Sequence, residues 1–178
     1  MSDFRSLKSI EEGEGKRVAY RWNIPIDVTV KGRTHDGTEF EENAVTTDVS
    51  STGMSILLSR LLEGNDEIAV SVPGENFQSS AKVIEVVTTG TGTYRTRVTF
   101  PAETRYTRER ARKRFVYDYS LETWAGYILD GEYYDHKQRF VGRVEDDKVV
   151  SPLTGKVTYT IKGDRVFNQS WGCVGHLI

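Results

Sequence analysis

Two groups of residues in this chain have types and spacing suited to gripping a small polar anion. One is Asp48-Val49-Ser50-Ser51-Thr52-Gly53, and the other is Lys16 and Arg17 with Arg21 upstream of it. In an extended chain, residues two apart point the same way, so Asp48 and Ser50 present a carboxylate and a hydroxyl side by side. The carboxylate only accepts hydrogen bonds, whereas the hydroxyl donates or accepts. Ser51, Thr52 and Gly53 end the strand in a turn, and Gly53 is free to take the positive φ that a reversal often needs. A guanidinium forks onto paired oxygens in a way an ammonium does not, so Arg17 and Arg21 together suit a compact dianion. Each part also has a plainer reading. Asp48 and Ser50 suit an Asx- or ST-type turn at a strand end, and the two arginines suit a solvated basic loop.

The pairing of the two groups is what singles them out. Arg-x-x-x-Arg spacing recurs at Arg108/Arg112, Arg110/Arg114 and Arg139/Arg143, and Asp-x-Ser recurs at Asp118-Tyr119-Ser120, where Thr123 stands in place of glycine. Only Arg17 and Arg21 are followed by the full Asp-x-Ser-x-x-Gly run.

The elements that must position these residues read as short strands. Ile24 to Val30 alternates apolar and polar residues, with Pro25 suiting an edge or a strand start. Gly32 and Asp36-Gly37 punctuate a connection to a return strand over 38–49, which delivers Asp48 to its end. Residues 54–62 are apolar and divide between strand and helix periodicity. Alternating runs follow over 68–72, 80–88 and 94–100, the last two joined by Thr89-Gly90-Thr91-Gly92-Thr93. So many strands at hairpin spacing predict a small antiparallel barrel or sandwich. Beyond Pro101, residues 104–114 lack Gly and Pro and carry six basic side chains, which predicts a basic helix. Residues 115–178 return to short β runs with a strong hairpin signal at Asp130-Gly131, predicting a small β-rich extension. Residues 1–15 form a polar lead-in.

Arg17 and Arg21 followed by Asp48, Ser50 and Gly53 resemble the PilZ domain, the bacterial receptor domain for cyclic di-GMP. The resemblance spans about residues 14–103 and implies a six-stranded antiparallel barrel over 16–103 that binds the nucleotide and has no catalytic role. It implies ligand contacts from Arg17, Arg21, Asp48 and Ser50, with Gly53 shaping the turn. Lys16 falls at the position that in this family helps set ligand stoichiometry, as a phosphate contact or a bystander charge. The chemistry suits those residues: a guanidinium reads O6 and N7 of guanine or chelates phosphate, and a carboxylate accepts from N1–H and N2–H₂. Arg97 departs from the family pattern, which commonly has glycine there.

Bulk properties bound the alternatives. With 37% hydrophobic and 28% charged residues the chain can build a core. A net charge of −2 excludes a molecule-wide attraction for nucleic acid, so any anion site must be local. A single cysteine, Cys173, excludes an internal disulfide or a multi-cysteine zinc site. The three histidines lack ligand spacing, so the expectation is no metal, no cofactor and no enzyme activity. No apolar run reaches membrane-span length and residues 1–16 hold no signal core, so a cytoplasmic protein is expected. The reading is therefore a cyclic di-GMP receptor that relays ligand level to a protein partner as residues 14–22 become ordered. Its rivals are an adaptor that keeps the fold but works by protein contact, and a nucleic-acid binder using the basic run.

Overall fold

The structure, a computed structural model, describes residues 19–34, 36–90, 92–108 and 111–178. Strands β1 (Asp27–Arg33), β2 (Glu39–Ser50), β3 (Gly53–Leu58), β4 (Glu67–Val72), β5 (Phe77–Thr88) and β6 (Tyr94–Thr99) close into an antiparallel barrel. Their order is β1-β2-β3-β6-β5-β4, with β4 returning to β1. Period-two alternation builds its interior: Val28 and Val30, Met54, Ile56 and Leu58, and Ile68, Val70 and Val72 all point inward and are buried. The stretch that divided between strand and helix is thus strand as far as Leu58.

Two β-bulges set which side chains leave this interior. In β2 the buried phase runs through Phe40 and Thr46, the register shifts between Thr46 and Asp48, and Val49 is the next core residue. Without the extra residue Asp48 would fall in phase with Thr46 and face the core; with it, Asp48 faces outward. The shift between Val83 and Glu85 in β5 turns Glu85 out in the same way.

The remaining strands are β7 (Lys113–Asp118), β8 (Thr123–Leu129), β9 (Glu132–Asp135), β10 (Phe140–Glu145), β11 (Lys148–Val150), β12 (Val157–Lys162), β13 (Arg165–Asn168) and β14 (Cys173–Leu177). Each pairs with its neighbour in sequence and β14 closes on β7, giving an eight-stranded up-and-down barrel. The expected small β-rich extension is therefore a complete second barrel. It is built from four hairpins of one design. Val116, Tyr133, Val149 and Val166 each start a hairpin's inward face and are buried. The turns that follow carry a residue of positive φ at Glu122, Gln138, Gly155 and Trp171. Asp118, Asp135 and Asn168 head three of those turns, each side-chain oxygen accepting two backbone amides. On the return strands a Cβ added at Gly126, Gly142 or Gly175 would stand 2.5, 2.4 and 2.8 Å from a carbonyl of the neighbouring strand, so that position has no room for a side chain.

The expected basic helix over 104–114 is not formed: there is no helix among the described residues. Tertiary contacts override helix propensity here. The amides of Phe100 and Tyr106 donate to the carbonyls of Thr52 and Ser51 at 2.9 and 3.0 Å, which pins the linker across the Asp48–Gly53 turn. Arg108 is buried in an ion pair with Glu75 at 2.9 Å, and Arg112 pairs with Asp130 at 2.5 Å. Lys113 and Arg114 already belong to β7, where Phe115, Val116 and Tyr117 favour strand.

The first barrel's apolar cluster reaches onto the outer face of the second barrel. β7 is buried on both faces: Val116 points into the second barrel, while Phe115 and Tyr117, with Tyr127 of β8, join the cluster that contains the first barrel's interior.

Candidate functional site

The segment ahead of β1 forms a clamp on the end of β2. Trp22 and Val49 exchange both backbone hydrogen bonds, at 2.8 and 2.9 Å, which sets Arg21 beside Asp48. The Arg21 guanidinium donates to Asp48 Oδ1, and both side chains are largely withdrawn from solvent. Among the described residues, Asp48 Oδ2 meets only the Thr47 hydroxyl, at 3.4 Å. One carboxylate oxygen therefore keeps acceptor capacity.

A polar row runs outward from Asp48 across four strands. Asp48 lies opposite Ser55 on β3, Ser55 opposite Arg97 on β6, and Arg97 opposite Glu85 on β5. Arg97 donates to Glu85 at 3.1 Å. Arg95, two residues before Arg97, points to the same side and makes no hydrogen bond or ion pair among the described residues. Together with Tyr20, Arg21, Asn23 and Glu122, these residues line an open cleft of about 460 Å³ with mainly polar walls, a size typical of small-molecule sites.

The predicted site residues divide. Arg21 and Asp48 meet at the cleft. Ser50 is buried, donating to the Gly53 carbonyl at 3.1 Å and accepting the Thr52 amide at 3.4 Å, so its hydroxyl is occupied in shaping the turn. Gly53 lacks positive φ; its constraint is space, because a Cβ there would sit 2.2 Å from the Val98 carbonyl. Lys16 and Arg17 lie outside the described residues. Of the segment 14–22 expected to become ordered, Arg21 and Trp22 are already engaged.

Seven cleft residues were not anticipated as site residues from the sequence: Tyr20, Asn23, Ser55, Glu85, Arg95, Arg97 and Glu122. Arg95 and Arg97 at strand spacing were a legible signal for a cationic outward face. Glu122 was not legible at all, because it comes from the second barrel.

The second barrel holds the clamp from its other side. Tyr20 packs against Trp22, Tyr117 and Tyr119 with ring centroids 5.8, 6.4 and 5.4 Å apart. The Trp22 indole donates to the Tyr119 hydroxyl at 3.3 Å, and the Asn23 side-chain amide donates to the Glu122 carbonyl at 3.1 Å. Partial burial, and then Tyr117, push the Tyr20 phenol well above its ordinary range, so it is neutral and available for packing.

The PilZ domain model matches residues 15–121, more than half of the chain. The chain belongs to the PilZ domain family. PilZ domains are, as a family, ligand-binding receptors for cyclic di-GMP and not enzymes. The PilZ match takes in the clamp, the first barrel, the linker and β7, and stops just before Glu122. No curated protein matches the chain. Among the described residues, no helix is long and apolar enough to cross a membrane, and no group of His, Cys, Asp and Glu side chains could hold a metal ion.

Several basic side chains of the linker already have partners. Arg108 and Arg112 are spent on Glu75 and Asp130, and the Lys113 ammonium lies over the Tyr127 ring at 4.4 Å.

Proposed function

We propose that this chain is a cytoplasmic cyclic di-GMP receptor that binds the nucleotide in the cleft beside Arg21 and Asp48. The observation that carries this reading is the seating of Arg21 on one oxygen of Asp48 in a polar cleft that also holds Arg95 and Arg97, in a chain of the PilZ family. Asp48 accepts from the N1–H and N2–H₂ edge of one guanine. Arg21 turns from Asp48 to a phosphate or to the O6 and N7 edge, and Arg17 and Lys16 close from upstream. Ser50 and Gly53 act beneath the ligand by fixing the turn. No cofactor and no catalytic step is needed.

The relay follows from the packing. Any shift of Arg21 is felt by Tyr20 and Trp22, which rest on Tyr117 and Tyr119 of the second barrel. In this reading residues 16–103 receive the signal, and the second barrel presents it to a protein partner.

Titration calorimetry with cyclic di-GMP tests the reading. Wild type is expected to give saturable heat. Loss of a charge-assisted contact in Arg21→Ala or Asp48→Ala, about 1.5–3 kcal/mol, corresponds to about 10–150-fold weaker binding. Wild-type affinity in both variants would remove this cleft as the site. No heat from wild type would leave the adaptor reading.

A further inference from the structure

The three carboxylates that line the cleft are not equivalent. Asp48 is engaged by Arg21 and Glu85 by Arg97. Glu122 lines the same cleft, and its carboxylate makes no hydrogen bond or ion pair among the described residues. Nor is its backbone loosely placed. It occupies the positive-φ position of the β7–β8 turn at 51°, and its carbonyl is tied to Asn23, one residue from the Trp22–Val49 clamp. The corresponding turn positions of the other three hairpins hold Gln138, Gly155 and Trp171. Of these four positions, only the one at the cleft holds a carboxylate.

Unpaired Glu122 and unpaired Arg95 thus leave the cleft with one acceptor and one cation uncommitted. A ligand that matches both carries an anionic group together with an edge of adjacent N–H donors. Guanine presents that edge as N1–H and N2–H₂, and a cyclic dinucleotide carries two guanines. Asp48 faces one of them in the reading above, on which this inference rests. We infer that Glu122, supplied by the second barrel, accepts hydrogen bonds from the Watson–Crick edge of the ligand's other guanine. The binding site is therefore composite, and base specificity depends partly on a residue outside the PilZ match. A carboxylate facing such donors discriminates strongly, because an analogue lacking one donor leaves part of its acceptor capacity unmet.

Calorimetry on the full chain with cyclic di-GMP and with its di-inosine analogue, which lacks both 2-amino groups, tests this. Wild type is expected to prefer the guanine ligand. Glu122→Gln keeps the size of the side chain, and Glu122 is exposed. It is expected to weaken cyclic di-GMP binding by about 10-fold, equivalent to about 1.4 kcal/mol. The same variant should lose less affinity for the inosine analogue, which keeps N1–H but has no 2-amino group to donate, so its preference narrows. A structural disturbance would weaken both ligands alike and would overturn the assignment. So would wild-type affinity and preference in Glu122→Gln, with cyclic di-GMP binding itself intact. Failure of wild type to bind cyclic di-GMP would instead overturn the receptor reading and this inference with it.

Discussion

At Gly53 the motif and the fold make the same demand for different reasons. The sequence suggests a residue chosen for backbone freedom, yet the conformation is one that any residue adopts. What forbids a side chain is the Val98 carbonyl of β6 at 2.2 Å from a built Cβ. Backbone cannot swing aside as a flexible side chain does, so Gly53→Ala must spread β3 from β6 beneath Asp48. The expected loss is about 1–3 kcal/mol, the usual range for overpacking, read as a lower urea midpoint at unchanged slope. An unchanged midpoint would show that the two strands part freely. Asp48 itself was legible, because its spacing to Ser50 and Gly53 is written in the sequence. Its outward direction was not. Nothing in Thr46-Thr47-Asp48 announces a bulge, and an unbroken alternation from Phe40 would aim the carboxylate into the core. Ser50 shows the converse. The plainer turn reading, open from the residues alone, describes the hydroxyl's present hydrogen bonds.

Between the barrels, the linker shows how a charge run loses its apparent meaning. Composition over 104–114 favours a helix, but composition cannot show that Glu75, far away in the β4–β5 turn, needs a cation. Arg108 answers that need with side-chain exposure of 6% against 8% for Glu75. The same carboxylate also accepts from the Tyr106 hydroxyl at 2.6 Å. A pair this dry contributes little by itself, but removing one partner strands the other charge. Glu75→Ala is therefore expected to cost about 3–5 kcal/mol. Adding Arg108→Met to Glu75→Ala should recover much of that loss, because no uncompensated charge remains. Chemical denaturation of the two single variants and the double variant closes the cycle. Strictly additive losses would show that the two side chains do not act as a pair. In the second barrel the Asp130-Gly131 signal was legible, but it joins β8 to β9, between two of the four hairpins and inside none of them. Their fourfold recurrence was masked because each hairpin fills the same position with a different residue. Asp118, Asp135, Ser151 and Asn168 share one place in the design, but only three of them cap the turn with a side-chain oxygen. Closure of β14 on β7 lies beyond any local signal.

For the molecule as a whole, the decisive fact is that the first barrel's apolar cluster extends onto the outer face of the second barrel, whose own interior is a separate cluster. Phe115 is 1% exposed and Tyr117 fully buried, and both lie in the cluster that holds Val28, Met54 and Ile56. A continuous Phe-Val-Tyr run on β7 is the sequence trace of a strand covered on both sides, which an isolated barrel with a wet outer face would not need. The barrels are therefore expected to unfold together. Far-UV circular dichroism and tryptophan fluorescence should give coincident transitions, although Trp22 reports on the first barrel and Trp171 on the second. Phe115→Ala empties a site where the Trp124 and Tyr127 rings stand 5.5 and 6.0 Å from its own. Its cost, about 3–5 kcal/mol, should lower both probes' midpoints by the same amount. Two separated transitions, with only one of them moved by Phe115→Ala, would mean the barrels are independent bodies. A shift at the Arg21 clamp would then have no rigid path to the second barrel. Coincident transitions would instead mean that the surface gripping Tyr20 and the surface a partner reads belong to one cooperative unit, the condition the relay requires.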